Sequence, residues 1–230
     1  MSTTHDSSDA APHLALEHRV LRPEPAAQGP FPALIMLHGR GADEEDLIGL
    51  AEAFDPSLMI LSVRAPFPYS YGGGFTWYDV GSVGAPEPAM FRRSYDLLSR
   101  FVDGALRAYP VDTSAVYLLG FSMGTVMSYA LALTRPGFFR GVVANSGYVP
   151  EGTHLDLLWS EAHRTPFFIA HGTLDPVIPL AMARRAKKLF EDAKGAFEYR
   201  EYTMAHEISR ESLADGAAFL GRLRAKKPAS

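Results

Sequence analysis

The chain has no cysteine among its 230 residues. Disulfide staples, thiolate nucleophiles and cysteine-ligated zinc are therefore excluded. It is also short of positive charge. Lys and Arg number 22 against 26 Asp and Glu, the formal net charge is −4, and no basic block interrupts the chain. Nucleic acid and anionic membrane surfaces are not expected partners. Long uninterrupted apolar runs are scarce too. Thr113 to Thr134 is uncharged and long enough to span a bilayer, but it contains Gly120, Ser122, Gly124 and Ser128. A buried strand followed by a buried helix explains it better than an integral membrane segment. Met1 to His13 is polar and has neither a basic start nor an apolar stretch. It reads as a disordered tail with no visible signal peptide, so a cytoplasmic protein is expected.

Hydrophobic residues make up 47% of the sequence, enough for a large core. Residues 14–226 are expected to form one domain. Short apolar runs at Ala33–Leu37, Leu58–Val63, Val116–Leu119, Gly141–Ala144 and Phe167–Ala170 read as buried strands, joined by Phe197–Tyr202 and an edge strand over Leu14–Leu21. Helical spacing over Ala89–Tyr109, Met123–Thr134, Leu180–Ala193 and Glu207–Arg224 alternates with them. A further helix is expected after Asp43 as N-cap, running through Leu47, Leu50 and Phe54 to about Asp55, with Asp46 completing an imperfect capping box. Two stretches resist assignment. One is Tyr148–Arg164, with a helical turn expected at Leu155–Trp159. The other is Arg64–Pro88, rich in glycine and proline and holding Phe67, Tyr69, Tyr71, Phe75, Trp77 and Tyr78. Strands alternating with helices imply an α/β fold: a mostly parallel twisted sheet with helices on both faces. In such sheets ligands bind beyond the carboxyl ends of the strands.

The chemistry centres on Gly120-Phe121-Ser122-Met123-Gly124. An apolar strand enters this G-x-S-x-G and a helix leaves it, which is the setting of a nucleophile elbow. A serine hydroxyl needs a base, and the base needs a carboxylate to fix its tautomer. In α/β hydrolases the triad runs Ser, acid, His along the chain. Asp175 lies just after the strand Phe167–Ala170, and His206 lies just after Phe197–Tyr202. His171 is the competing base. It shares a turn with Asp175, is poorly placed to reach both Asp175 and Ser122, and reads as structural. The oxyanion hole should use the N–H of Met123 and the N–H of Arg40 in the Gly39-Arg40-Gly41 loop. The Arg40 side chain reads as a solvated charge and His38 as a buried structural histidine. Asp156 and Asp192 have nothing to single them out. Gly39-Arg40-Gly41 lacks the third glycine of a dinucleotide fingerprint, and Arg210 stands where a zinc-protease helix needs its second histidine. No metal and no cofactor is expected.

Leu37-His38-Gly39-Arg40-Gly41-Ala42-Asp43-Glu44-Glu45-Asp46-Leu47, Trp77-Tyr78-Asp79, Gly120–Gly124, His171-Gly172-Thr173-Leu174-Asp175-Pro176-Val177-Ile178-Pro179 and Ala205-His206-Glu207 together resemble the phospholipase/carboxylesterase family. The likeness runs from about Pro32 to Leu223. It implies an α/β-hydrolase fold without a separate cap domain. It implies Ser122, Asp175 and His206 as catalytic residues, in agreement with the spacing argument, and it places Trp77 and Tyr78 near the substrate. The family usually has Gln where this chain has Met123, and Gly where it has Ala205. Thr125 replaces a common glycine. The expected activity is hydrolysis of small-molecule carboxylic esters of short to medium acyl length, with thioesters and lysophospholipids as variants. A serine peptidase on the same fold and a non-catalytic binding protein are the alternatives. The aromatic stretch Arg64–Pro88 is expected to serve either as an acyl wall, with Trp77 foremost, or as a homodimer surface.

Overall fold

The computed structural model describes residues 14–23 and 29–226; the tail expected over 1–13 lies outside the described residues. Seven strands form the central sheet: β1 (His18–Leu21), β2 (Phe31–Leu37), β3 (Met59–Val63), β4 (Val111–Phe121), β5 (Gly141–Asn145), β6 (Phe167–Gly172) and β7 (Phe197–Tyr202). Their spatial order is β1-β3-β2-β4-β5-β6-β7. Every pair is parallel except β1 with β3, where His18 faces Val63 and Leu21 faces Ile60. The continuous apolar runs of β2, β3 and β5 are what a doubly covered parallel sheet requires.

The strand period of two divides the core. Ile35 and Leu37 of β2 and Leu118 of β4 join one cluster, while Leu34, Met36 and Leu119 join the other. The first cluster is covered by α1 (Pro88–Ala108), α2 (Met123–Thr134) and α3 (Leu180–Asp192). The second is covered by α4 (Arg210–Ala225), through Phe219 and Leu220, and by a short 3₁₀ helix over Leu47–Ala53. Helix α2 has no polar face because Met123 to Leu133 is buried on all sides. Among the described residues no helix is long and apolar enough to cross a membrane.

Several boundaries differ from the sequence expectation. β4 begins at Val111, not Val116: Phe31 pairs with Val111 and Ala33 with Val116, and the register shift between them takes up the polar residues that break the apolar run. The helix expected from Asp43 to about Asp55 is a shorter 3₁₀ helix over Leu47–Ala53, and its N-cap Asp46 makes no side-chain cap bond. Asp43 instead accepts from the Glu45 N–H at 2.9 Å within its own turn. Helix α4 starts at Arg210, capped by the Ser209 hydroxyl, which accepts from Ser212 N–H at 3.1 Å. The turn expected at Leu155–Trp159 is a 3₁₀ helix at Trp159–Arg164. The stretch Arg64–Pro88 is ordered into two small hairpins, Phe67–Pro68 with Phe75–Thr76 and Val80–Ser82 with Ala85–Pro86.

Candidate active site

Ser122 joins β4 to α2 with φ 54 and ψ −118, a region that side chains other than glycine rarely enter. Such a conformation costs of order 1–3 kcal/mol and persists only where the surroundings enforce it. They do so here. A Cβ on Gly124 would stand 1.9 Å from the Leu37 carbonyl oxygen, and one on Gly120 would stand 2.5 Å from the Thr125 nitrogen. Both positions must be glycine for strand and helix to pass. The Ser122 N–H donates to the Asn145 carbonyl at 3.0 Å, and the Thr125 hydroxyl donates to the same oxygen at 2.6 Å. Thr125, which departs from the family pattern, thus clasps the end of β5. Gly147 makes room for it, since a Cβ there would lie 2.4 Å from Thr125 Cγ2.

β6 and β7 bring up the other two groups. The Ser122 hydroxyl lies 2.9 Å from His206 Nε2, and His206 Nδ1 lies 2.8 Å from Asp175 Oδ2. The N–H groups of Val177 and Ile178 both donate to Asp175 Oδ1 at 2.8 Å. Burial works to raise the Asp175 pKa, but the His206 hydrogen bond and these two N–H donors outweigh it and hold the pKa below the ordinary value. The carboxyl is therefore an anion, with each oxygen satisfied. The Phe121 ring packs against His206 with centroids 4.9 Å apart.

His171 is buried beside Asp175. Its Nε2–H donates to the Ile178 carbonyl at 2.9 Å and lies 3.4 Å from Asp175 Oδ2. It reaches the acid but has no hydrogen bond to Ser122 among the described residues. Burial lowers its pKa, so it is neutral near pH 7. His38 is neutral for the same reason. Its Nδ1–H donates to the Gly39 carbonyl at 2.6 Å, and its Nε2 accepts from Ala65 N–H at 3.0 Å.

The loop carrying Arg40 is stitched down by the first hairpin. Gly41 N–H donates to Phe75 O, and Phe75 N–H donates to Ala42 O, both at 2.8 Å. Gly41 has φ +80, and a Cβ on Gly74 would lie 2.3 Å from the Gly41 oxygen, so the two backbones touch. The N–H groups of Arg40 and Met123 have no hydrogen-bond acceptor among the described residues and lie in the loop and at the helix start that flank Ser122.

Trp77 is a correction. Its side chain is fully buried, its Nε1–H donates to the His38 carbonyl at 2.9 Å, and its own carbonyl accepts from the Ser94 hydroxyl. It braces the loop behind Arg40 and cannot be an acyl wall. Tyr78 is equally buried, and its hydroxyl meets that of Tyr148 at 3.2 Å. Of the six aromatic residues in Arg64–Pro88, only Tyr71 is exposed. Tyr71 meets the half-buried Tyr69 edge to face, with ring centroids 5.8 Å apart.

The cleft at Ser122 is narrow, with a free volume of about 50 Å³. Its walls are Val80 and Val83 from the second hairpin, Val177 and Ile178 from the Asp175 loop, Met123, Tyr148 and the Arg40 side chain. None of the four aliphatic residues was singled out by the sequence. Val177 and Ile178 lie in the motif that supplies Asp175, which was the available signal. A larger concavity of about 660 Å³ lies at the opposite end of the strands, around Phe139, Arg140 and Arg164, away from Ser122.

A profile of the phospholipase/carboxylesterase family matches residues 20–223. Acyl-protein thioesterase 1 of Debaryomyces hansenii is 27% identical over 71% of this chain and 75% of its own length. Acyl-protein thioesterase 1 of Candida albicans is 25% identical over 82% of this chain and 90% of its own. The crystal structure of a Bacillus cereus carboxylesterase superposes with a TM-score of 0.77 at 24% identity, covering 90% of this chain and 94% of that one, and speaks for the fold.

Proposed function

The chain belongs to the phospholipase/carboxylesterase family, and from that premise we propose that it hydrolyses carboxylic esters and thioesters through an acyl-enzyme on Ser122. The observation that carries this reading is the hydrogen-bond chain from Ser122 through His206 to Asp175, at 2.9 and 2.8 Å.

Ser122 Oγ attacks the carbonyl carbon as His206 Nε2 takes its proton. A positioned base of this kind contributes about 10²–10⁴ in rate. Asp175 stays an anion throughout and stabilises the imidazolium through Nδ1–H. The carbonyl oxygen becomes an oxyanion that accepts from the N–H groups of Arg40 and Met123. One such donor contributes about 10²–10³ in kcat. His206 then gives its proton to the departing alcohol or thiol. In the second half it activates a water, which releases the acid and restores Ser122. Because the oxyanion donors are backbone groups, Met123 in place of the family's usual glutamine does not remove one. The narrow cleft favours short acyl groups, since each methylene that fits gains only about 0.8 kcal/mol and the gain ends where the walls close.

A fluorophosphonate probe followed by peptide mapping tests the assignment. Labelling is expected on Ser122 alone. Ser122→Ala is expected to fold, lose the label and lose about 10⁵–10⁶ in kcat on a 4-nitrophenyl ester. A label that persists in Ser122→Ala overturns the assignment.

A further inference from the structure

The Arg40 side chain has no part in the chemistry above, yet it stands in the wall of the cleft beside Ser122. It is the one charged residue among those lining that cleft. Of the nearest acids, Asp43 accepts from Glu45 N–H at 2.9 Å, Glu44 pairs with Arg64, and Glu45 pairs with Arg19 at 2.8 Å. Arg40 has no carboxylate within ion-pair distance among the described residues; its guanidinium lies over the Tyr69 ring, 5.5 Å from the centroid. Its backbone is fixed by the hairpin clasp at Gly41 and Phe75. A surface arginine on a free loop would be a solvated charge. This one is anchored at its base, leans on an aromatic face and flanks the nucleophile.

We propose that the Arg40 guanidinium is an anion subsite of the cleft, and that the enzyme prefers esters bearing a carboxylate a few bonds from the scissile carbonyl. The inference rests on the hydrolase reading and names its substrate class. The planar guanidinium matches a carboxylate in a two-point hydrogen bond, which a lysine could not reproduce. Tyr148, in the same cleft wall, lies within the field of this charge. Burial dominates the upward shift of its phenol; the Tyr78 hydrogen bond, the Gly84 backbone and, more weakly, the Arg40 charge pull against it. The remaining walls, Val80, Val83, Val177 and Ile178, are aliphatic. They suit the short carbon chain that links the ester to its anionic end. Arg40 is exposed, so solvent screens the contact, and about a tenfold preference is expected rather than the larger factor of a buried pair.

The test compares two matched substrate pairs on the same enzyme preparation. In one pair the charge is on the acyl side: 4-nitrophenyl hydrogen succinate against its methyl ester. In the other it is on the leaving group: 4-carboxyphenyl acetate against its methyl ester. Each kcat/KM is divided by the rate of the same compound with hydroxide. The wild type is expected to prefer the anionic member of one pair by about tenfold, and high salt should shrink that preference. Arg40→Gln should abolish the ratio, and Arg40→Lys should keep only part of it. A ratio near one in wild type for both pairs, or a preference that survives Arg40→Gln, overturns the subsite and leaves the hydrolase reading standing. No turnover of any of the four esters, together with no probe label on Ser122, overturns both.

Discussion

At the scale of single residues, the two buried histidines set a pH limit separate from the chemistry. His38 and His171 are almost fully buried, and burial lowers both pKa values below 6.5. The unfolded chain binds protons on both as the pH falls below about 6.5, and the native state does not. Their contribution to stability is therefore complete above that pH and declines below it, by at most about 1.4 kcal/mol per pH unit for each histidine. Asp175 and Glu44 act in a lower window. Their pKa values are depressed, so their stabilisation is complete above the ordinary carboxylate range and lost as pH falls through the native values. Urea midpoints are expected to fall between about pH 7 and pH 5. His38→Gln, whose amide oxygen can still accept from Ala65 N–H, should show a shallower fall. A wild-type midpoint that is flat across this interval would show that the two histidines do not remain neutral in the native state.

At the scale of elements, the elbow depends on how closely α2 passes β2. The 1.9 Å between a Gly124 Cβ and the Leu37 oxygen leaves no room for any side chain. Gly124→Ala must push the helix off the strand that carries the Arg40 loop. A loss of more than about 3 kcal/mol, or insoluble protein, is expected, since overpacking here strikes backbone and not a movable side chain. Gly49 in the 3₁₀ helix is the control, because its added Cβ meets nothing within 4 Å. Gly49→Ala should be neutral or raise stability by up to about 1 kcal/mol. Thermal unfolding of the two variants decides the matter. Equal Tm values would mean that α2 and β2 are less tightly fixed than the geometry indicates. The same logic explains the aromatic stretch. Trp77, Phe75 and Gly74 meet the backbone of the Arg40 loop directly, so the hairpin braces the loop that carries the proposed oxyanion donor.

At the scale of the molecule, residues 14–226 are proposed to unfold as one unit. The proposed catalytic residues come from the ends of β4, β6 and β7, and the Arg40 loop follows β2. These strands span the sheet from β2 to its edge at β7, so no cut between β2 and β7 leaves a complete site on either side. Far-UV circular dichroism and fluorophosphonate labelling should therefore be lost at the same urea midpoint. A site that disappears well before the secondary structure would show that the catalytic end unfolds on its own. The edges of the sheet are β1 and β7. Beyond them, the exposed large apolar side chains include Val83, Leu174 and Val177, of which Val83 and Val177 line the cleft mouth.

The sequence by itself determined the fold class, the order of the main elements and the positions of Ser122, Asp175 and His206. Ser122 and Asp175 follow short apolar runs that read as buried strands, His206 follows the aromatic-rich, half-buried Phe197–Tyr202, and a parallel sheet brings the carboxyl ends of its strands to one edge. Local pattern also identified the Gly39-Arg40-Gly41 loop, because two glycines around one residue signal backbone that must be aimed. Tertiary structure decided the directions of side chains. Composition marked Arg64–Pro88 as aromatic but did not say that Trp77 points inward to the His38 carbonyl while Val80 and Val83 face Ser122. Asp43 and Asp46 fit a capping pattern, yet Asp43 caps its own turn and the helix tightens to 3₁₀. His171 was correctly read as separate from the nucleophile, but its 3.4 Å approach to Asp175 depends on how the turn after β6 folds back. Periodicity reports which face of an element is buried. It carries no record of which loop closes over that face, and in this chain those closures form the walls of the cleft.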